Sequence, residues 1–254
     1  MNILNNQFQL KIATAGIVSS VFVYKMAQHY NQKYHLKQYI FNKIWSQLSP
    51  IMDYKLRHFK EELFSQAEGN VLDVGSGMGP TFKYLANNNK IKSVIALEPN
   101  PFMMDKLLET IQQQPSDFPI RVLNKTIAKA IEDNDIEPQT FDTVICNLVL
   151  CSIPNYERII GEIQDLLKPG GKLLFIEHVI SENPVYQSIE HLFNPLWGIF
   201  TDGCHLNRVT DGIIKNMDGW ERVVVNNAGK QMFKHVYGFA VKDSSSKPQK
   251  ITIN

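Results

Sequence analysis

The chain has only three cysteines in 254 residues, Cys146, Cys151 and Cys204, and no Cys-x-x-Cys pair. That scarcity excludes a disulfide-stapled scaffold and a cysteine-rich zinc site, and it fits a reducing compartment. No metal site is expected. Acidic residues are missing before Asp53, and the first 52 residues hold five lysines but no arginine. Net charge is only +1, which excludes nucleic-acid binding driven by bulk charge. A GxxxxGK[ST] phosphate loop is absent. What is there is ordinary for a folded protein: 44% hydrophobic and 20% charged residues. The length allows one large domain or two small ones.

The charge is unevenly distributed. Beyond residue 52 the chain carries 21 basic and 25 acidic groups, so two parts face different surroundings. Residues Phe8 to Met26 form the most apolar stretch. As a helix it would run about 28 Å, close to the ~30 Å of a bilayer core. Lys11 and Lys25 sit near its ends, where they could snorkel. Residues 1–28 are therefore read as a hydrophobic anchor or targeting helix, with a mitochondrial presequence and an ordinary packed helix as alternatives. No convincing small-x-small cleavage site follows, which speaks against a secretory signal. Residues 29–65 carry Tyr34, Tyr39, Ile40, Ile44, Trp45 and Leu48 at roughly helical spacing, as one or two amphipathic helices divided at Pro50.

Residues 66–242 alternate between apolar runs and helical patterns. Strands are predicted at 70–74, 93–97, 120–123, 141–146, 172–176, 220–225 and 235–241, with helices at 80–88, 101–113, 156–167 and 209–217. The first five strands are apolar throughout, as strands covered on both faces should be. The alternation predicts an α/β, doubly wound, mostly parallel seven-stranded sheet. Only Asn226–Gly229 separates the last two strands, so they form a hairpin and one edge strand runs antiparallel. Residues 243–254 read as a polar, disordered tail.

The strongest local signal is Val71-Leu-Asp-Val-Gly-Ser-Gly-Met-Gly-Pro80. A buried strand runs into Gly75, Ser76, Gly77 and Gly79, and Pro80 suits the first position of a helix. Such a loop lets the backbone approach a ligand at the carboxyl end of the sheet. A dinucleotide fingerprint would need glycine where Pro80 stands. Asp73 would repel a pyrophosphate and attract an ammonium or sulfonium, so the expected ligand is a cationic nucleoside. Glu98 ends the second strand, where a carboxylate can accept both ribose hydroxyls.

Asp73, the three glycines, Glu98 and Leu166-Leu-Lys-Pro-Gly-Gly171, in this order, resemble a class I S-adenosylmethionine-dependent methyltransferase with its Rossmann-like fold. Asn147-Leu-Val-Leu-Cys-Ser152, Phe175-Ile-Glu-His-Val179, Asp202-Gly-Cys-His-Leu-Asn-Arg208 and Tyr237-Gly-Phe-Ala-Val-Lys242 are similar to the methyltransferase-like protein 7 family. That resemblance implies a small enzyme on endoplasmic reticulum or lipid droplets that methylates alkyl thiols. It implies that S-adenosylmethionine rests on Asp73, Gly75, Ser76, Gly77 and Gly79 by its methionine part. Its ribose would meet Glu98, with Pro99 and Asn100 beside it. Thr126 and Ile127 would flank the adenine, and Asn147 and Leu148 would lie beneath the sulfonium.

The acceptor side is expected from the later segments. His178 and His205 are candidate bases, and Asp202 could orient one of them. Arg208, with Asn207 beside it, could steady a thiolate or a substrate carboxylate. The apolar run 183–200, including Trp197 and Phe200, could cover the site as a lid for lipophilic substrates. Cys151 and Cys204 are read as small buried hydrophobes. DNA and RNA are poor substrates on this reading, because Asn147-Leu-Val-Leu lacks the polar-Pro-Pro-aromatic motif that base methylation requires. Methylation of a lipid, quinone or sterol at oxygen or carbon, and a non-catalytic membrane scaffold, remain the alternatives.

Overall fold

The computed structural model describes residues 35–229 and 232–245. The anchor reading of residues 1–28 and most of the tail lie outside the described residues. Among the described residues, no helix is long and apolar enough to cross a membrane.

The first element is a long helix, α1 (Leu36–Phe64). It runs unbroken through Pro50, so the expected division there does not occur. A proline removes one helical hydrogen bond. Packing of the stripe Ser49, Asp53, Leu56, Lys60, Leu63 and Phe64 against the domain outweighs that loss.

Next come β1 (Gly69–Val74), α2 (Phe82–Leu85), β2 (Ile91–Leu97), a short 3-10 turn (Pro101–Met103), α3 (Met104–Gln113) and β3 (Ile120–Leu123). The chain continues through α4 (Ile127–Glu132), β4 (Phe141–Asn147), α5 (Tyr156–Leu166), β5 (Leu167–His178) and α6 (Pro184–Phe200). It closes with α7 (Thr210–Asn216), β6 (Trp220–Asn227) and β7 (His235–Lys242). The sheet order is β3-β2-β1-β4-β5-β7-β6. Strands β3, β2, β1, β4 and β5 pair in parallel. The one antiparallel strand is β7, which sits between β5 and β6, leaving β6 outermost and parallel to the rest.

Two apolar layers cover the sheet. One joins Leu72, Val74, Phe141 and Val144 to Ile127, Ile159, Ile160, Ile163 and Ile214 of α4, α5 and α7. The other joins Val71, Val94 and Ile145 to Leu56, Leu63, Phe64, Phe82, Leu85 and Leu107 of α1, α2 and α3. Neighbouring β1 residues Val71 and Leu72 go to opposite layers, as strand alternation requires.

The apolar segment 183–200 is itself a helix. The Asn183 side chain accepts from the Val185 amide at 2.9 Å, and Pro184 opens the first turn. Helix α6 leaves much of its apolar surface uncovered, as α1 does at Tyr39, Ile51 and Tyr54: Leu192 is 76% exposed, and Val185, Phe193, Leu196, Ile199 and Phe200 are exposed as well.

Candidate active site

Strand β1 delivers Asp73 to the carboxyl end of the sheet, fully buried, with no hydrogen bond closing on either carboxylate oxygen. Burial raises its pKa to about 6, against the opposing influence of Ser76, Thr81 and Lys60. An unpaired buried carboxylate is costly unless something satisfies it. The loop after β1 turns through three glycines with positive φ, at 67°, 55° and 85°. At Gly75 a side chain would strike Val149, whereas a Cβ at Gly77 would meet nothing nearer than Trp45 Nε1 of α1, 3.9 Å away. The space above Gly77 is a cradle open to a ligand, with Trp45 beside it.

Glu98 anchors that cradle. One oxygen accepts from the Gly77 amide and the other from the Asn100 amide, both at 2.7 Å. Burial lifts its carboxyl to about 7, and the two amides only partly oppose that. Each oxygen keeps a second lone pair for a ribose hydroxyl. Pro99 follows in the same turn. Asn100 has a structural duty: its oxygen caps the 3-10 turn at Phe102, and its amide donates to the Gln38 carbonyl of α1 at 3.0 Å. Asn100 thereby ties α1 to the mouth of the crevice, and Gln38 Oε1 is buried there without a partner. Thr126 caps α4 by accepting from the Lys129 amide, and Ile127 is buried behind it.

Strand β4 ends in Asn147, whose amide donates to Thr81 Oγ1 at 3.1 Å while its Oδ1 is buried and unpaired. Leu148 follows with φ of 59°, a left-handed backbone rarely adopted by a branched side chain. Glu177 holds this turn: one oxygen accepts from both the Val149 and Leu150 amides at 3.0 Å. Its carboxyl is pushed up to about 7 by burial. Glu177 stands in the sequence as an acid inside the apolar, family-like run Phe175–Val179, and neither signal gives that acid a role of its own. Trp45, Gln38 and Lys60 likewise escape a reading of the sequence as site residues. Lys60 is 2% exposed and bonds Asp53 at 3.1 Å, and Asp53 also receives Lys83 and the Tyr84 hydroxyl. Burial pushes the Asp53 carboxyl up, but Lys83 and Lys60 outweigh it and hold it below its ordinary value.

The acceptor-side candidates are arranged otherwise than expected. His178 ends β5 and packs beside His235 and Phe233, with ring centroids 5.5 and 6.2 Å away. Both its nitrogens lack partners, and desolvation lowers its pKa to about 4. His205 Nδ1 lies 3.2 Å from Asn194 Nδ2, and desolvation followed by the Arg208 charge lowers it too. No hydrogen bond joins Asp202 to either histidine. Its charge instead acts on Glu98, and Lys37 of α1 acts on it. Arg208 is consumed by the fold: Nη1 donates to the Leu150 and Ile153 carbonyls, and the guanidinium lies 4.6 Å from the Tyr156 ring. Asn207 pairs with His191 at 3.0 Å. His205, Asn207 and Arg208 do share one open depression of about 700 Å³ with Asn155–Arg158. Trp197 stacks near Phe233 with centroids 6.1 Å apart, while Phe200 points to the surface. Among the described residues no cluster of His, Cys, Asp and Glu suits a metal ion.

The residues present fit S-adenosylmethionine. Unpaired acceptors on Asp73, Gln38 and Asn147 call for a donor-rich, cationic ligand, and Gly77 leaves room for it. A family model described as a methyltransferase domain matches residues 47–217. The chain belongs to that family and is an S-adenosylmethionine-dependent methyltransferase. Human thiol S-methyltransferase TMT1A is 28% identical over 196 residues, spanning 72% of this chain and 78% of that protein. Rat thiol S-methyltransferase TMT1B is 32% identical over 170 residues, spanning 61% and 65%. In fold, an O-methyltransferase family protein from Burkholderia thailandensis matches with a TM-score of 0.60 at 19% identity, covering 81% of this chain and 59% of that one. A Haemonchus contortus N-methyltransferase solved with S-adenosylhomocysteine matches with a TM-score of 0.58 at 14% identity, covering 84% and 59%.

Proposed function

We propose that the protein methylates small, lipophilic thiols. When bound, S-adenosylmethionine supplies an electrophilic methyl group on a sulfonium. The chain's own part is to hold the reactants in line and dry. Orientation of this kind is worth about 7–11 kcal/mol in favourable cases. Asp73 and the glycine loop hold the cationic end, Glu98 the ribose, and the Leu148 turn, braced by Glu177, forms the floor of the acceptor side.

The observation that carries the choice of acceptor is that neither candidate histidine is a base tuned upward. Desolvation lowers His178 to about 4 and lowers His205 as well, so neither histidine is raised toward the range of an alcohol or phenol. An alkyl thiol of pKa ~8.5 is already ionised to a few per cent there. A phenol near 10 or an alcohol needs a matched base, which these groups do not supply. The thiol S-methyltransferases among its relatives support the same choice. The exposed apolar stripe of α6 suits acceptors that partition into a membrane, and we place the protein at such a surface, endoplasmic reticulum or lipid droplet.

The test is labelled S-adenosylmethionine offered with alkyl thiols, phenols and membrane lipids. Thiols should take the label, and kcat/KM should rise with pH until the acceptor's own pKa is passed. Preferential labelling of phenols or lipids would overturn the reading, as would a pH midpoint that stays the same across thiols of different acidity.

A further inference from the structure

Cys151 and Cys204 are 53 positions apart, yet their sulfurs lie 3.4 Å from each other. Cys151 follows the Leu148 turn at the end of β4, and Cys204 belongs to the segment 201–208 that follows α6. The two segments are pinned together. The His205 amide donates to the Cys151 carbonyl at 2.9 Å, while Asn194 of α6 accepts from the Leu206 amide at 2.7 Å and steadies the second segment from its other side. Arg208 adds two donors to the carbonyls of Leu150 and Ile153 on the opposing segment. Bonding would bring the sulfurs from 3.4 Å to ~2.05 Å while the backbone bonds hold the two segments in register.

We propose that Cys151 and Cys204 form a redox modification site: a reversible intramolecular disulfide made by exchange with small organic disulfides. Cys204, the more accessible of the two, attacks one sulfur of a disulfide RSSR as the thiolate and releases RS⁻. The Cys151 thiol then loses its proton and attacks the Cys204 sulfur, releasing the second thiolate. The protein loses two electrons and two protons, and two molecules of RSH appear. The surroundings favour this order. The contact with Cys151 lowers the Cys204 thiol to about 7 against the effect of burial, helped by Trp197, Ser152 and the Arg208 charge. The same contact, followed by burial, holds Cys151 well above the ordinary thiol value. A lowered, more accessible thiol is the better attacker in thiol–disulfide exchange, and Cys151 lies beside it to resolve the mixed disulfide. Cys146 is fully buried in β4, away from this pair, and takes no part.

The experiment equilibrates the full chain in graded buffers of 2-mercaptoethanol and its disulfide, quenches with acid, and reads free thiols and intact mass. The expected result is loss of two of the three free thiols in one cooperative step, a mass lower by two hydrogens, and a Cys151–Cys204 peptide in the digest. Added thiol should reverse all three. Cys146→Ser should behave like the parent chain, and Cys204→Ser should not lose two hydrogens at any ratio. Cys151→Ala should instead stop at one mercaptoethanol adduct on Cys204. Should that variant fail to fold, Cys204→Ser alone still decides. Accumulation of the Cys204 adduct in the parent chain, with Cys151 left free, would overturn the proposal. So would three thiols that remain unreacted in the folded chain but oxidise once it is denatured.

Discussion

Around the glycine loop, at the ends of β1 and β4, polar atoms are buried and left without partners. In the segment 201–208 they are consumed by the protein itself. Asp73 has no hydrogen bond on either oxygen, and Gln38 Oε1 is also orphaned. Arg208, by contrast, spends its guanidinium on two backbone carbonyls and a ring, His205 leans on Asn194, and Asn207 on His191. The first region is shaped for a ligand that brings donors and positive charge. The second is shaped to hold loops together, and the apolar surface beside it belongs to α6. A cofactor common to many reactions needs fixed polar contacts, whereas a small lipophilic acceptor needs a shaped, dry space.

Substitutions can break this contrast. Gly77→Val should have the largest effect, abolishing cofactor binding by a thousandfold or more, about 4 kcal/mol. The added side chain would be strained at φ 55° and would fill the cradle beside Trp45. Calorimetry reads the loss, and an unchanged circular dichroism spectrum shows that the fold survives. Asp53→Ala should destabilise the protein by about 3–5 kcal/mol in urea unfolding, because it strands the buried Lys60 ammonium. Glu98→Ala should weaken S-adenosylmethionine by roughly 10–100-fold, the loss of charge-assisted acceptors worth ~1.5–3 kcal/mol.

Acidification should produce a graded effect. Asp73 and Glu98 sit at about 6 and 7, raised by burial, and a cationic ligand favours their ionised forms. Affinity should therefore fall as pH drops through 7 to 6, approaching tenfold per unit for each carboxyl once it is mostly protonated. The ligand-free protein should respond in the opposite sense. These carboxyls hold their protons more tightly folded than unfolded, so stability should rise as pH falls from about 7 toward the ordinary carboxylate range. Thermal shifts with and without S-adenosylmethionine across pH separate the two trends. The smallest effect belongs to the other region: Asn207→Ala should change cofactor affinity by less than about twofold, since it touches none of the cofactor-facing groups. A large loss there would erase the contrast.

Much of the cofactor region could be read along the chain. Asp73, the glycines and Glu98 each end a strand, and strand ends in a doubly wound sheet share one edge. Their chemistry follows from local sequence because adjacent parallel strands place them side by side. The acceptor region was read less well. Asp202 was expected to orient a histidine, and its charge is felt at Glu98 instead. Arg208 was expected to face substrate; it lines the open depression with His205 and Asn207, but its Nη1 is spent on two backbone carbonyls. Glu177, which braces the Leu148 turn, stood within the family-like run Phe175–Val179 but was given no role of its own. Each of these depends on which segment folds over the ends of β4 and β5, and spacing along the chain carries no record of that.

Apolar runs and turn residues by themselves determined the seven strands, their mostly parallel pairing and the glycine loop, because strand burial and tight turns impose residue types within a few positions. The tertiary structure alone decided that α1 continues past Pro50 to set Trp45 beside Gly77, and that Cys151 meets Cys204. Those contacts join residues dozens of positions apart. They exist because the packed sheet and helices bring distant segments together, with the burial of apolar surface supplying the free energy that no local preference encodes.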